Sequence, residues 1–273
     1  MTDPQSITIQ STTQAAGELT ADSVAFRFAQ FSLSPISMRA RAGELTAIIG
    51  PNGSGKSTLL EVLSGHLKPK SGGVFLDGQN LHELSPRERA RRVGLARQET
   101  ILLFSFEVQE FVRQGRHPHL GNSLFESPED DRWVEWALEK TCLQEFAHRR
   151  VMEMSSGEFQ RAVLARTLAQ RPRLVLLDEP TANLDIGYQV EIFRLLRQLA
   201  KSENFVGIVV THELNLAAEM ADYVVLLQGG NCLRQGKAED VFQADLLSQA
   251  FRTPVLVDKN PTSGRPRVTW IAP

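Results

Sequence analysis

The octapeptide GPNGSGKS, Gly50 to Ser57, limits what this chain can fold into more than any other stretch. It fits G-x-x-x-x-G-K-[ST], follows the apolar run LTAII (45–49), and precedes a helical stretch with Leu59, Leu60 and Leu63 on one side. Strand, glycine loop and helix in that order make a phosphate cradle, because backbone N–H groups curl around the anion and the helix dipole favours it. The expected nucleotide-binding residues are Gly50, Pro51, Asn52, Gly53, Ser54, Gly55, Lys56, Ser57 and Thr58. Lys56 reaches the β- and γ-phosphate oxygens, and the Ser57 hydroxyl ligates Mg²⁺.

Other apolar runs support the same architecture. Residues 73–77, 173–178, 205–211 and 222–228 read as strands, several of them continuously apolar, as in a parallel sheet buried on both faces. A helical pattern over 187–201 carries Ile192, Leu196 and Leu199 on one stripe and Arg194, Arg197 and Lys201 away from it. Strands alternating with helices predict an α/β fold. Residues 100–165 lack strand signals and carry helical patterns over 106–115, 130–144 and 157–170, which predicts a helical subdomain inserted into the α/β core.

Strand ends supply the chemistry. RLVLLDEP (173–180) closes an apolar strand with Asp178 and Glu179. Beside a phosphate cradle, Asp178 is placed to hold Mg²⁺ through water and Glu179 to polarise an attacking water; the bland reading is an acidic pair that caps a turn. VVTHE (209–213) puts His212 at another strand end, where ligands gather in parallel sheets. Gln98, after the short run 93–96, could bridge Mg²⁺ and the same water. MSSGE (154–158) has capping-box spacing between Ser155 and Glu158 ahead of a strong helix, and such a helix start favours an anion.

Charge excludes other classes. The 30 Lys and Arg are balanced by 32 Asp and Glu, for a net charge of −2, which argues against a nucleic-acid binder. No apolar run approaches the roughly 20 residues of a membrane-spanning helix. Cys142 and Cys232 stand in no metal or redox spacing and suit a reducing compartment. The first residues form no secretory signal, and the polar stretch 1–20 is expected to be a disordered tail.

The glycine loop, Gln98, MSSGE, LLDEPTANLD and the TH pair occur in the order and spacing of ATP-binding-cassette (ABC) ATPases, which the chain resembles from about residue 22 to 255. The resemblance implies a P-loop NTPase core with a mostly parallel sheet, an antiparallel β subdomain and an inserted helical subdomain, together spanning 21–273. It also implies a head-to-tail homodimer in which Ser155, Ser156, Gly157 and Glu158 complete the ATP site of the second copy. Glu179 then resembles the general base, His212 the residue that braces it, and Asp185 an aspartate that crosses the interface. The adenine-stacking aromatic falls at Phe26 or Phe28, with Phe26 preferred by its distance from Lys56; both could instead be core residues. Met154 and Ser156 depart from the family's usual Leu and Gly.

A single cassette, with 99 positions between Lys56 and Ser155, resembles a separate subunit that docks on a dimeric membrane permease. That subunit would sit at the cytoplasmic face of a bacterial inner membrane, working with a periplasmic binding protein only indirectly. Residues 104–121 and the C-terminal stretch resemble importers of haem, iron–siderophores and vitamin B12, haem foremost. A soluble regulatory ATPase is the rival from another class. His117 and His119 are not expected to ligate cargo; Arg113, Gln114 and Arg116 are expected either to line a groove for the permease or to form a solvated basic face.

Overall fold

The computed structural model describes residues 17–28, 31–97, 105–120 and 127–271. It opens with strands β1 (Glu18–Phe28), β2 (Phe31–Arg41) and β3 (Leu45–Ile49), and helix α1 (Lys56–Leu63) follows the glycine loop. Then come β4 (Ser71–Leu76), β5 (Gln79–Asn80), α2 (Pro86–Arg92) and β6 (Val93–Ala96). The helical subdomain holds α3 (Val108–Arg113), a 3₁₀ turn over Gln114–His119, α4 (Pro128–Lys140) and the start of α5 (Ser156–Ala169). The core resumes with β7 (Leu174–Asp178), α6 (Ile186–Glu203), β8 (Val206–Val210), α7 (Leu214–Met220), β9 (Tyr223–Gln228) and β10 (Asn231–Gly236). Helices α8 (Ala238–Val241) and α9 (Ala244–Phe251) lead to a hairpin of β11 (Val255–Lys259) and β12 (Pro266–Trp270).

The main sheet has the order β10-β9-β3-β8-β7-β6, with β9, β3, β8, β7 and β6 parallel and β10 antiparallel at one edge. A second, antiparallel sheet runs β2-β1-β4-β5. Continuous apolar strands have a direct explanation here. In β7, Val175 and Leu177 enter the hydrophobic cluster shared with the helical subdomain, while Leu174 and Leu176 enter the cluster between the two sheets and α1. Side chains alternate across a strand, so a strand covered on both faces must be apolar throughout.

Three expectations need adjusting. Residues 18–20, expected to be disordered, are the start of β1: Glu18–Thr20 pair with Arg41–Arg39, and Leu19 is fully buried. The strand expected over 73–77 runs from Ser71 to Leu76, as β4 of the antiparallel sheet, with Asp77 in the turn beyond it. The helix expected over 106–115 ends at Arg113 and tightens into the 3₁₀ turn, which contains Pro118, a residue with no N–H to continue an α-helix.

Candidate nucleotide site

The glycine loop leaves β3 from the middle of the parallel sheet and ends at α1, whose N-terminus no side chain caps. That leaves the first N–H groups to an anion. Gly50 adopts φ 150°, and a Cβ there would fall 2.3 Å from the carbonyl oxygen of Leu227 on β9. Packing against the neighbouring strand therefore demands glycine at this position. Lys56 is only 5% exposed; its Nζ donates to the carbonyls of Gly50 at 2.9 Å and Pro51 at 3.1 Å, filling its own loop. Burial lowers the Lys56 pKa, opposed by the Glu179 and Asp178 carboxylates.

Those carboxylates stand at the end of β7. Ser57 Oγ donates to Asp178 Oδ1 at 3.3 Å. Burial raises the Asp178 pKa, the Ser57 hydrogen bond opposes this, and Glu179 raises it further. Two adjacent acids beside one hydroxyl are a donor set that a hard divalent cation would relieve, so Ser57 and Asp178 fit Mg²⁺. Among the described residues no group of three His, Cys, Asp or Glu side chains converges as a metal cage. A hard ion held by Ser57 and Asp178 would complete its shell with waters and phosphate oxygens. Glu179 lies in the left-handed region at φ 50°, its N–H donating to Val210 O at 2.9 Å on β8. His212, two residues beyond that strand, places Nε2 2.5 Å from Glu179 Oε1.

At the far end of the subdomain, Ser155 caps α5: its Oγ accepts from the Glu158 N–H at 3.3 Å, and the Glu158 carboxylate accepts from the Ser155 N–H at 2.8 Å. The expected capping box is present. Ser155 and Ser156 are exposed and Gly157 is buried, so the extra side chain at 156 crowds nothing within the subunit. Asp185 is exposed and caps α6, accepting from the Tyr188 N–H at 3.2 Å. Tyr188, which packs on Gly157, carries no sequence signal that would have drawn attention to it.

The structure distinguishes the two candidate rings and corrects the reading of Arg116. Phe26 packs partly buried against the inter-sheet cluster, whereas Phe28 is 74% exposed. Arg116 is 3% exposed; its Nε donates to Asp130 Oδ1 at 2.8 Å and its Nη1 to Ala169 O at 2.7 Å, so it is a structural strut and not a groove residue. Arg113 pairs with Asp131. Gln114 and His117 do line a cavity of about 630 Å³ between α2, β6, the 3₁₀ turn and α5. His119 is half-buried, hydrogen-bonded to Gln170 O at 2.9 Å. Gln98 lies outside the described residues.

Residues 33–182 match the family described as ABC transporter. The hemin import ATP-binding protein HmuV of Escherichia coli O157:H7 is 40% identical over 240 residues, 85% of this chain and 91% of that protein. The cobalamin import ATP-binding protein BtuD of Halobacterium salinarum is 38% identical over 229 residues, 84% of this chain but 57% of that protein, so the chain spans little more than half of this relative. A metal-chelate type ABC transporter solved in an inward-facing conformation is 26% identical, with a TM-score of 0.82 over 94% of this chain and 98% of that one. The chain belongs to the ABC transporter family and carries its ATPase domain.

Proposed function

We propose that the chain is the ATP-hydrolysing subunit of a bacterial importer and energises haem uptake through a membrane permease. The contact between Glu179 and His212 beside the phosphate loop carries the enzymatic part. ATP lies with its phosphates on residues 50–58 and its adenine against Phe28. Lys56 turns from its loop carbonyls to the β- and γ-phosphates. Ser57 and Asp178 would hold Mg²⁺, which would offset phosphate charge when bound. Glu179 accepts a proton from a water as that water attacks the γ-phosphorus; the bond to the β-bridging oxygen breaks, giving ADP and phosphate. His212 braces the carboxylate and the γ-phosphate.

Ser155 and the Gly157 N–H complete the site on a second copy, so turnover requires a head-to-tail dimer. The cavity lined by Gln114 and His117 receives the permease at the cytoplasmic face of the inner membrane, and the periplasmic binding protein is engaged only through that permease. Similarity along 91% of a hemin import protein supports haem as cargo. Cobalamin is the second reading, favoured by the halobacterial relative. The test is uptake into proteoliposomes carrying the chain with its cognate permease and binding protein, with ATP supplied. Transport of haem over cobalamin and iron–siderophores is expected; transport of cobalamin alone overturns the cargo and leaves the ATPase intact.

A further inference from the structure

Gly157, second residue of α5, is buried against one side chain. A Cβ at this position would lie 2.4 Å from Cδ1 of Tyr188 and 2.7 Å from its Cε1 and Cγ. The backbone of the Ser155–Glu158 turn therefore rests on the ring of Tyr188. That residue is also fixed from its own side, because its N–H donates to the Asp185 carboxylate that caps α6. One turn further along α5, the Arg161 guanidinium sits 5.9 Å from the Tyr188 ring centroid and pairs with Glu191 of α6 at 3.0 Å. Gly157 and Arg161 thus both approach the ring, and the first turns of α5 meet the start of α6 on it.

We propose that Tyr188 is a positioning residue for ATP hydrolysis: its ring seats the start of α5 on the start of α6, so that Ser155–Glu158 and Asp185 face the second copy as one surface. The inference rests on the reading that those residues complete the partner's ATP site. The contact with Gly157 runs through ring carbons, so ring shape matters and the hydroxyl does not. Without the ring, the turn beneath Gly157 loses its floor, and a displacement of about 1 Å at a reacting centre can cost on the order of 100-fold in rate. Nothing in the contact touches residues 50–58, so binding of nucleotide to its own subunit is left alone.

The test uses the full chain, with steady-state ATPase and equilibrium binding of a fluorescent ATP analogue. Tyr188→Ala is expected to lower kcat by roughly 10- to 100-fold while the analogue's Kd stays within about twofold, and Tyr188→Phe is expected to restore kcat to within about twofold. Wild-type kcat in Tyr188→Ala overturns the proposal, as does a loss of nucleotide affinity matching the loss of rate. A second measurement guards against a folding defect. Gly157→Ala drives a methyl into the ring, so adding Tyr188→Ala to it should cause no further loss of kcat; losses that multiply would remove the ring as the seat. Mixed dimers of Lys56→Ala and Ser155→Arg chains separate the two readings. If they are as inactive as either variant alone, completion of the partner's site falls; if they keep about half of wild-type turnover while Tyr188→Ala does not lower kcat, only the seating role falls.

Discussion

Nε2 of His212 lies 2.5 Å from Oε1 of Glu179, joining the ends of two strands, β8 and β7, that pair in parallel. Glu179 holds φ 50°, a conformation a non-glycine residue keeps only when its surroundings insist, and the main-chain bond to Val210 together with His212 supplies that insistence. A carboxylate so fixed is suited to take a proton from an aligned water. Glu179→Gln keeps the shape and removes the base, so kcat should fall by about 100-fold or more with ATP still bound. Single-turnover kinetics checks this, and rapid hydrolysis by the variant would take Glu179 out of that role.

Completion of the site by a second copy is open to a mixing experiment. Lys56→Ala chains lack the phosphate grip, and Ser155→Arg chains present a blocked cap to their neighbour. Each alone should be inactive, while a mixed dimer retains one competent site, formed by the loop of one chain and the cap of the other. Turnover by isolated mixed dimers, measured against wild type, should be at most about half. Mixed dimers as inactive as either variant alone would contradict completion in trans.

Phe26 and Phe28 separate a packing role from a binding role. Phe28→Ala should weaken ATP binding by about 1 to 2 kcal/mol, the scale of a stacked base, and leave thermal stability nearly unchanged. Phe26→Ala should do the reverse, lowering stability through a cavity against the inter-sheet cluster. Calorimetric titration with ATP and a melting curve on both variants decide the matter; equal loss of affinity would return the stacking role to Phe26.

The Arg116–Asp130 pair makes a pH prediction. Burial alone would raise the Asp130 pKa, but hydrogen bonds from the Ser127 N–H and hydroxyl and from Arg116 outweigh it and hold the group at about 2. A depressed carboxylate contributes stability that is complete above its unfolded value of 3.8 and fades as pH falls toward about 2. The contribution is about 2 kcal/mol near neutrality. Asp130→Asn should therefore destabilise the chain by about 3 kcal/mol at pH 7, since Arg116 is left buried without its counter-charge, and the gap to wild type should narrow in acid. Urea denaturation at a series of pH values measures both effects.

The glycine loop, the Ser155–Glu158 capping box and the acidic end of β7 could be read from the sequence because each is a local device. Its residues lie within about eight positions, and the backbone alone brings them together. Doubly buried strands were legible for a similar reason, since a strand covered on both faces cannot hide its composition. Other features needed contacts between distant segments. Phe26 and Phe28 stand two positions apart on one strand; only the inter-sheet cluster, which takes in Phe26 and leaves Phe28 exposed, tells them apart. Arg116 looked like a surface base among histidines until the fold brought Asp130 and Ala169 to it. Tyr188 had no visible task until the fold set its ring against Gly157, 31 positions away. Sequence by itself determined the phosphate loop and the strand-end acids, because short-range backbone geometry needs no partner. Tertiary structure decided which ring, which arginine and which helix ends meet, because burial and contact belong to the packed chain.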